Sequence, residues 1–187
     1  MLKLRNISLR YGDHTVLENF SLTLNPGQRI AVMGPSGCGK TTMLRIILDL
    51  LKPTSGEVEN TFRIPAAVFQ EPRLLPWRTA LENVNLVLGD KKETLPKAEK
   101  ALARMGLSDA QSKYPRELSG GMQQRVAIAR AMAVDGDLLI LDEPFKGLDE
   151  SLRDQVMTQV ADTKAALILV THDRKEAESL GCEIITL

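Results

Sequence analysis

A glycine-rich segment, GPSGCGKTT, occupies residues 34–42 of this 187-residue chain and limits the folds that the chain can adopt. The segment fits the pattern G-x-x-x-x-G-K-[ST], in which glycines let successive backbone N–H groups surround bound phosphates. A run typical of a strand precedes it at residues 29–33, and a pattern typical of a helix follows at residues 43–48. This order places the positive end of a helix dipole at the phosphates. The segment therefore predicts a nucleoside triphosphate site rather than an ordinary glycine-rich turn.

Two side chains of this loop bring chemistry of their own. We expect Lys40 to reach the β- and γ-phosphates as a point charge and Thr41 to offer its hydroxyl to Mg²⁺. The residues predicted to surround the nucleotide are Gly34, Pro35, Ser36, Gly37, Cys38, Gly39, Lys40, Thr41 and Thr42.

Charge and composition exclude several other classes of protein. Lys and Arg number 24, as do Asp and Glu, so the net charge is zero and no basic stripe for nucleic acid is indicated. Cys38 and Cys182 form neither a disulfide framework nor a metal-ligand spacing, which favours reduced thiols in the cytosol. The sequence has no run of 18 apolar residues and no signal-peptide core. Any role at a membrane is therefore expected to depend on a partner.

Strand and helix patterns alternate along the chain, which predicts an α/β fold with a largely parallel sheet. Prolines separate short helical patterns between residues 71 and 117, which predicts a helical insertion. The predicted strands lie at residues 2–10, 20–24, 29–33, 66–69, 138–141, 166–170 and 184–187. The predicted helices lie at residues 43–48, 81–88, 96–105, 118–133 and 153–164.

Polar side chains follow three of the predicted strands, at the strand ends where open α/β sheets bind ligands. Asp142 suits the Mg²⁺ shell, and Glu143 suits a general base that activates water. His172 is placed to contact the γ-phosphate, and the amide of Gln70 suits Mg²⁺ or the attacking water. Each alone is equally an ordinary polar residue at a strand end, but beside a phosphate loop the group predicts a hydrolytic site.

Ser119, Gly120 and Gly121 open the helix predicted at residues 118–133. They fit either a plain N-cap with a flexible turn or a second phosphate site made of a hydroxyl, bare N–H groups and a helix dipole. Because they lie far along the chain from the phosphate loop, one nucleotide would not easily need both within one subunit. This separation predicts that a second copy completes the site.

Two aromatic residues remain open to two interpretations each. Tyr11 follows the first strand, where it either stacks on a base or packs as a half-exposed residue. Trp77, the only Trp, either covers the helical segment or belongs to a surface for a partner.

Taken in order, these motifs resemble those of the ATP-binding subunit of an ABC transporter over nearly the whole chain. They are Tyr11, GPSGCGKTT (34–42), Gln70, LSGGMQQRVAIARA (118–131), LLILDEP (138–144), KGLD (146–149) and His172. The resemblance implies an α/β P-loop NTPase fold with a RecA-like, mostly parallel core, an N-terminal antiparallel β subdomain and an inserted helical subdomain. It implies one ABC ATPase domain over residues 1–187. In that domain, 1–70 and 134–187 form the nucleotide-binding core, and 71–133 form the helical subdomain with the signature helix.

The resemblance also implies a role for each motif, with ATP and Mg²⁺ as cofactors. Tyr11 would stack on adenine, and Gln70 would link the nucleotide site to a transmembrane subunit. Ser119 to Gly121 would contact the γ-phosphate of ATP on the opposite subunit, and Asp149 belongs to a loop that crosses that interface. The implied catalytic residues are Lys40, Gln70, Glu143 and His172. The implied Mg²⁺ ligands are Thr41, Gln70 and Asp142.

The segment VFQEPRLLPWRTALENV (68–84) resembles importers of the nitrate, sulfonate and taurine group. The implied function is ATP hydrolysis that powers uptake of a small solute, at the cytoplasmic face of the membrane and through permease subunits served by a solute-binding protein. Two copies would pack head to tail around two ATP molecules, and no nucleic acid would take part. The alternatives are a soluble ABC-type ATPase acting on ribosomes or DNA, and a nucleotide-binding module with little hydrolysis.

Several features depart from the family pattern. Met122 replaces the usual Gln of the signature, as it does in many importers. Lys146 stands where Ser or Gly is common, so we expect it either to perturb the dimer interface or to add a charge contact. Residues 56–70 are short for the family, which predicts the loss of a strand or hairpin. The sequence ends soon after His172, from which we expect no regulatory domain.

Overall fold

The computed structural model describes all 187 residues, which form two sheets and six helices. The strands are β1 (Leu2–Tyr11), β2 (His14–Leu24), β3 (Arg29–Met33), β4 (Ser55–Asn60), β5 (Pro65–Val68), β6 (Leu138–Asp142), β7 (Ala166–Val170) and β8 (Glu183–Thr186). The helices are α1 (Lys40–Ile47), α2 (Ala80–Leu86), α3 (Leu95–Arg104), α4 (Gly120–Ala133), α5 (Glu150–Ala161) and α6 (Arg174–Ser179). Single 3₁₀ turns lie at Lys92–Thr94, Ser108–Ala110 and Pro115–Glu117.

The central sheet has five parallel strands in the order β5-β6-β7-β3-β8. Every residue of β6 and β7 is buried, because continuous apolar runs suit strands that are covered on both faces. Successive side chains on these strands point to opposite faces, so Leu138 and Ile140 join one buried cluster and Leu139 and Leu141 join the other. The predicted parallel core is therefore confirmed.

The second sheet is antiparallel, with the strand order β2-β1-β4. Its apolar face, which includes Leu4 and Leu22, shares a cluster of 18 buried residues with α1 and one face of the central sheet. The helices α2, α3 and α4 join a separate cluster of 28 buried residues against the other face. The α/β fold with an antiparallel sheet and a helical insertion is as predicted, whereas the subdomain boundaries at 71 and 133 stay a prediction.

Two elements differ from the sequence prediction. The strand β4 was not predicted, and it pairs with β1 from Leu2↔Asn60 to Ser8↔Ser55. The loss of a strand or hairpin within residues 56–70, relative to the family pattern, stays a prediction. All six residues of β4 are exposed, so the strand carries no apolar alternation. The helix α6 was also missed, because its six residues are too few to show a periodic pattern.

Because the strands of the central sheet are parallel, their carboxyl ends lie along one edge of the sheet. The strands β3, β5, β6 and β7 all end there, and their carboxyl ends lead into the phosphate loop, Gln70, Glu143 and His172, respectively. Topology therefore collects the polar residues that the sequence placed after separate strands. None of the six helices has the length and apolar character that crossing a membrane requires.

Candidate functional site

The phosphate loop leads from β3 into α1, and the residue just before α1 must be glycine. Gly39 caps the helix in the left-handed region, at φ 103°, and provides no side-chain cap. A Cβ atom at this position would lie 2.8 Å from both the carbonyl oxygen of Val16 and Cδ2 of Leu17. The backbone N–H groups of the first helical turn therefore have no side-chain partner and remain available to an anion.

Lys40 lies inside the loop and is only 7% exposed. Its Nζ donates hydrogen bonds to the carbonyl oxygens of Gly34 and Pro35, both at 2.8 Å, and lies 3.8 Å from Sγ of Cys38. These contacts wrap the loop around the ammonium group. The positive charge is thus held where the sequence predicts the phosphates to bind.

Asp142 is the last residue of β6 and is buried. The hydroxyl Oγ1 of Thr41 donates to its Oδ2 at 2.9 Å, so the structure brings together two of the three predicted Mg²⁺ ligands. Burial raises the pKa of the Asp142 carboxyl, and the hydrogen bond from Thr41 opposes this shift. A hydroxyl and a carboxylate are hard oxygen ligands, and Mg²⁺ usually takes only one or two protein ligands in addition to phosphates and water. The pair therefore fits Mg²⁺.

Glu143 follows Asp142 in a left-handed conformation, at φ 47°, and its backbone N donates to the carbonyl oxygen of Val170 at 2.9 Å. The two carboxylate oxygens have different partners. Nε2 of His172 lies 3.1 Å from Oε1, and Nζ of Lys146 lies 3.0 Å from Oε2. Burial acts to raise the pKa of Glu143, but the hydrogen bond and charge of Lys146, with a smaller contribution from His172, lower it below its usual value.

These residues line one cavity of about 380 Å³ at the carboxyl edge of the sheet. We call it the phosphate cavity. Its lining residues are Val16, Ser36, Gly37, Gly39, Lys40, Thr41, Thr42, Gln70, Asp142, Glu143, Lys146 and His172. Tyr11 does not line this cavity. It lies at the end of β1 with 57% of its surface exposed, so it is not packed in the core, and its contact with adenine stays a prediction.

The signature residues line a different cavity of about 610 Å³, which we call the signature cavity. Ser119 caps α4 by accepting a hydrogen bond from the backbone N of Met122 at 3.3 Å, and Asp149 caps α5 by accepting from Leu152 at 3.0 Å. Ser119 therefore has the local capping role that the sequence left open, and Asp149 caps its own helix in the same way. Nε2 of Gln124, which also lines the cavity, is buried and has no hydrogen-bond partner in the subunit.

Gln70 and Lys146 line both cavities, so the two cavities are neighbours. The signature residues Ser119, Gly120 and Gly121 are not among those that line the phosphate cavity. The subunit therefore brings the loop, the acids and the histidine together but leaves the signature apart from them. A third cavity of about 670 Å³ lies at the opposite, amino ends of the strands and contains no predicted site residue.

Sequence reasoning missed two residues that hold the surroundings of Gln70. Arg130 of α4 donates to the carbonyl oxygens of Arg73 at 3.0 Å and Pro72 at 2.9 Å. Asn83 of α2 is fully buried and bonds the backbone of residues 75–79. The partners in both cases are backbone atoms. Because every residue has such atoms, the sequence gives no sign of these hydrogen bonds.

Comparison with known proteins decides the family. The family model described as ABC transporter matches residues 17–146. The chain belongs to the ABC transporter family. Its relatives include the aliphatic sulfonates import ATP-binding protein SsuB 1 of Rhodococcus jostii (strain RHA1), which is 43% identical over 100% of this chain and 78% of the relative. The bicarbonate transport ATP-binding protein CmpD of Synechocystis sp. (strain ATCC 27184 / PCC 6803 / Kazusa) is 40% identical over 100% of this chain and 73% of its own.

A solved structure resembles this ABC subunit over its full length. It is the dimeric post-hydrolysis state of the ATP-binding cassette MJ0796 bound to ADP and Pi, with a TM-score of 0.91 and 34% identity. The similarity covers 100% of this chain and 94% of that one. The P-loop NTPase fold and the ATPase activity implied by the sequence are thereby confirmed.

Proposed function

We propose that this ABC subunit hydrolyses ATP to power a membrane importer for a small solute. One observation carries the proposal: Lys40, Thr41, Asp142, Glu143 and His172 line a single cavity at the carboxyl edge of the sheet. A relative named as an aliphatic sulfonates import ATP-binding protein supports the direction of transport. The subunit would act at the cytoplasmic face of the membrane, bound to permease subunits. The solute would be a small molecule like nitrate, a sulfonate or taurine, as the resemblance of residues 68–84 implies.

The residues of the phosphate cavity divide the chemistry among them. Lys40 and the open N–H groups of α1 bind the phosphates and offset their negative charge. Glu143 accepts a hydrogen bond from water and draws its proton as the oxygen attacks the γ-phosphate. His172 holds one oxygen of Glu143 at 3.1 Å and, at 46% side-chain exposure, can also face the γ-phosphate.

Thr41 and Asp142 would hold Mg²⁺, with Gln70 contributing from the same cavity wall. When bound, the ion neutralises charge on the β- and γ-phosphates and so lowers the barrier to attack. The hydrogen bond between Thr41 and Asp142 keeps the two oxygens at the same place. The protein's contribution is therefore to pre-arrange the ligands.

The signature cavity supports a head-to-tail dimer. Gly120 leaves open space where a side chain would lie, so its backbone is accessible to an anion, and the buried amide of Gln124 lacks a partner within the subunit. A second copy that presents its phosphate cavity here would bring a γ-phosphate to these groups and to the N-terminus of α4. The dimeric state of MJ0796 is consistent with this arrangement.

The assigned base is tested by Glu143→Gln, which keeps the size of the side chain but removes its basicity. We expect kcat for Mg-ATP to fall by about 10²- to 10⁴-fold, while ATP still binds and now accumulates in a stable dimer. Glu178→Gln serves as a control, because Glu178 is an exposed acid on α6 whose side chain bonds only Arg174. Hydrolysis by Glu143→Gln at the normal rate would remove Glu143 from the mechanism.

The permease surface is tested at Trp77, which is 70% exposed on the segment before α2. We expect Trp77→Ala to lose co-purification with its membrane partner while the isolated subunit hydrolyses ATP normally. Leu50→Ala is the matched control, because Leu50 is a 62% exposed apolar residue after α1. Retention of the partner by Trp77→Ala would argue against Trp77 as a docking residue.

A further inference from the structure

Lys146 makes a contact that the family pattern does not supply. Its backbone N donates to the carbonyl oxygen of Glu143 at 3.3 Å, which forms a turn after β6. This turn directs the side chain back toward the carboxylate, where Nζ lies 3.0 Å from Oε2. Ser or Gly, which are common at this position in the family, have no side chain long enough to form this ion pair.

With this contact, both carboxylate oxygens of Glu143 have a hydrogen-bond partner. Oε1 is bonded by His172 and Oε2 by Lys146. A water molecule that is to be activated must donate a hydrogen bond to one of these oxygens. The water must therefore share one carboxylate oxygen with its present donor, or displace that donor.

The two donors are not equally easy to displace. The side chain of His172 is 46% exposed, and the residue follows the buried strand β7. The side chain of Lys146 is 66% exposed, and its ammonium group lies at the end of a flexible four-carbon stem. Lys146 is thus the donor that water can displace more readily. Because it lines both the phosphate cavity and the signature cavity, it also lies where a second copy would approach.

We propose that Lys146 is a positioning residue that restrains Glu143 through its ion pair with Oε2 and so slows hydrolysis by this subunit. The inference rests on the proposed role of Glu143 as the base. The lysine competes with the attacking water for the carboxylate, and hydrolysis proceeds when the water takes its place. Nucleotide binding does not require the contact, since the loop and Lys40 supply the phosphate ligands.

The effect on rate is modest because ion pairs with one exposed partner are weak. Removal of the contact is expected to raise kcat by about two- to fivefold. KM for Mg-ATP is expected to stay unchanged, because only the step at Glu143 is affected.

The experiment compares steady-state kinetics of the full chain and four variants. Lys146→Gly and Lys146→Met remove the charge, with and without the side-chain stem, and both should raise kcat at constant KM. Lys146→Arg retains a cation that can bond Oε2 and should keep the original rate. Lys52→Ala is the matched control, because Lys52 forms an ion pair with Asp49, also three residues away, at the distant end of α1. An unchanged or lower kcat in the two neutral variants, or a higher KM, would overturn the inference.

A second readout does not depend on activity. The ATP concentration that produces half-maximal dimer on gel filtration should be the same for Glu143→Gln with and without Lys146→Met. A higher concentration in the double variant would mean that Lys146 binds nucleotide across the interface, which contradicts the restraint. If Glu143→Gln itself hydrolyses ATP normally, the proposed function fails. If Glu143→Gln is inactive while the neutral Lys146 variants keep the original rate, only this inference fails.

Discussion

Asn83 holds together the segment that carries Trp77. The side chain is fully buried in α2, and its Oδ1 accepts a hydrogen bond from the backbone N of Leu75 at 2.7 Å. Its Nδ2 donates toward the carbonyl oxygens of Leu75, Arg78 and Thr79, at 3.2, 3.0 and 2.9 Å. One amide therefore closes the turn from residue 75 to residue 79. Truncation to alanine removes every one of these contacts and leaves α2 otherwise unchanged.

The cost of Asn83→Ala follows from this count. Two amide hydrogens serve three carbonyls, so we count two donated bonds and one accepted bond, at about 1 kcal/mol each, or about 3 kcal/mol in the free energy of unfolding. Asn85, two residues further along α2, donates to the carbonyl oxygen of Lys91 at 3.0 Å and accepts from Oγ1 of Thr94 at 2.7 Å. Asn85→Ala should therefore cost about 2 kcal/mol. These values correspond to decreases in Tm of roughly 6–12 °C and 4–8 °C for a chain of this size.

Fluorescence separates the two variants more sharply than stability does. Trp77 is the only tryptophan, so the anisotropy of its emission reports the mobility of the 75–79 turn directly. We expect Asn83→Ala to lower the anisotropy well below the melting transition and Asn85→Ala to leave it unchanged. The reasoning is refuted if both variants give the anisotropy of the unchanged protein, or if Asn85→Ala proves the more destabilised of the two in urea unfolding.

Three further predictions concern the phosphate loop and the Mg²⁺ ligands beside it. A bulky alkylating group on Cys38 should abolish ATP binding, and ATP should protect the thiol from alkylation; unimpaired ATP binding after alkylation of Cys38 would contradict this prediction. Burial raises the pKa of Cys182 to about 11, so Cys182 should not react at pH 8. Gly39→Ala should lower ATP affinity at least about tenfold, because φ 103° strains any L-residue and the Cβ would meet the carbonyl oxygen of Val16 at 2.8 Å; titration with a fluorescent ATP analogue checks this, and an unchanged affinity would count against it. Asp142→Asn should raise the Mg²⁺ concentration needed for half-maximal hydrolysis by roughly 10- to 100-fold, and an unchanged requirement would exclude Asp142 as a ligand.

The centre of the parallel sheet was predictable because β6 and β7 are covered on both faces. The runs at β6 and β7 must be apolar throughout, and this requirement is visible without a structure. The strand β4 could not be found in this way. Its sequence, SGEVEN, is held by backbone pairing with β1 while all of its side chains face solvent, so burial imposes no pattern on it.

The site residues that were predicted differ from those that were not in the kind of group that they contact. Thr41, Asp142 and His172 were found because their chemistry requires particular side chains beside particular strands. Arg130 and Asn83 act on carbonyl oxygens, which every residue has, and the partners of Arg130 lie 57 and 58 positions away. The ion pair of Lys146 with Glu143 depends on the turn after β6, so the sequence could indicate only that Lys146 departs from the family pattern.

Gln70 lies where the sheet meets the helical part of the molecule. The segment after it is fixed at two points, since Arg130 ties residues 72 and 73 to α4 and Asn83 ties residues 75–79 to α2. Since α2 and α4 pack in one buried cluster, the segment and the signature at the start of α4 belong to the same packed unit. Gln70 lines both cavities and precedes the first of these ties, so we predict that a change at the phosphates reaches that unit through Gln70. In that case one ATP would act on Trp77 and on the signature together, as the proposed importer requires.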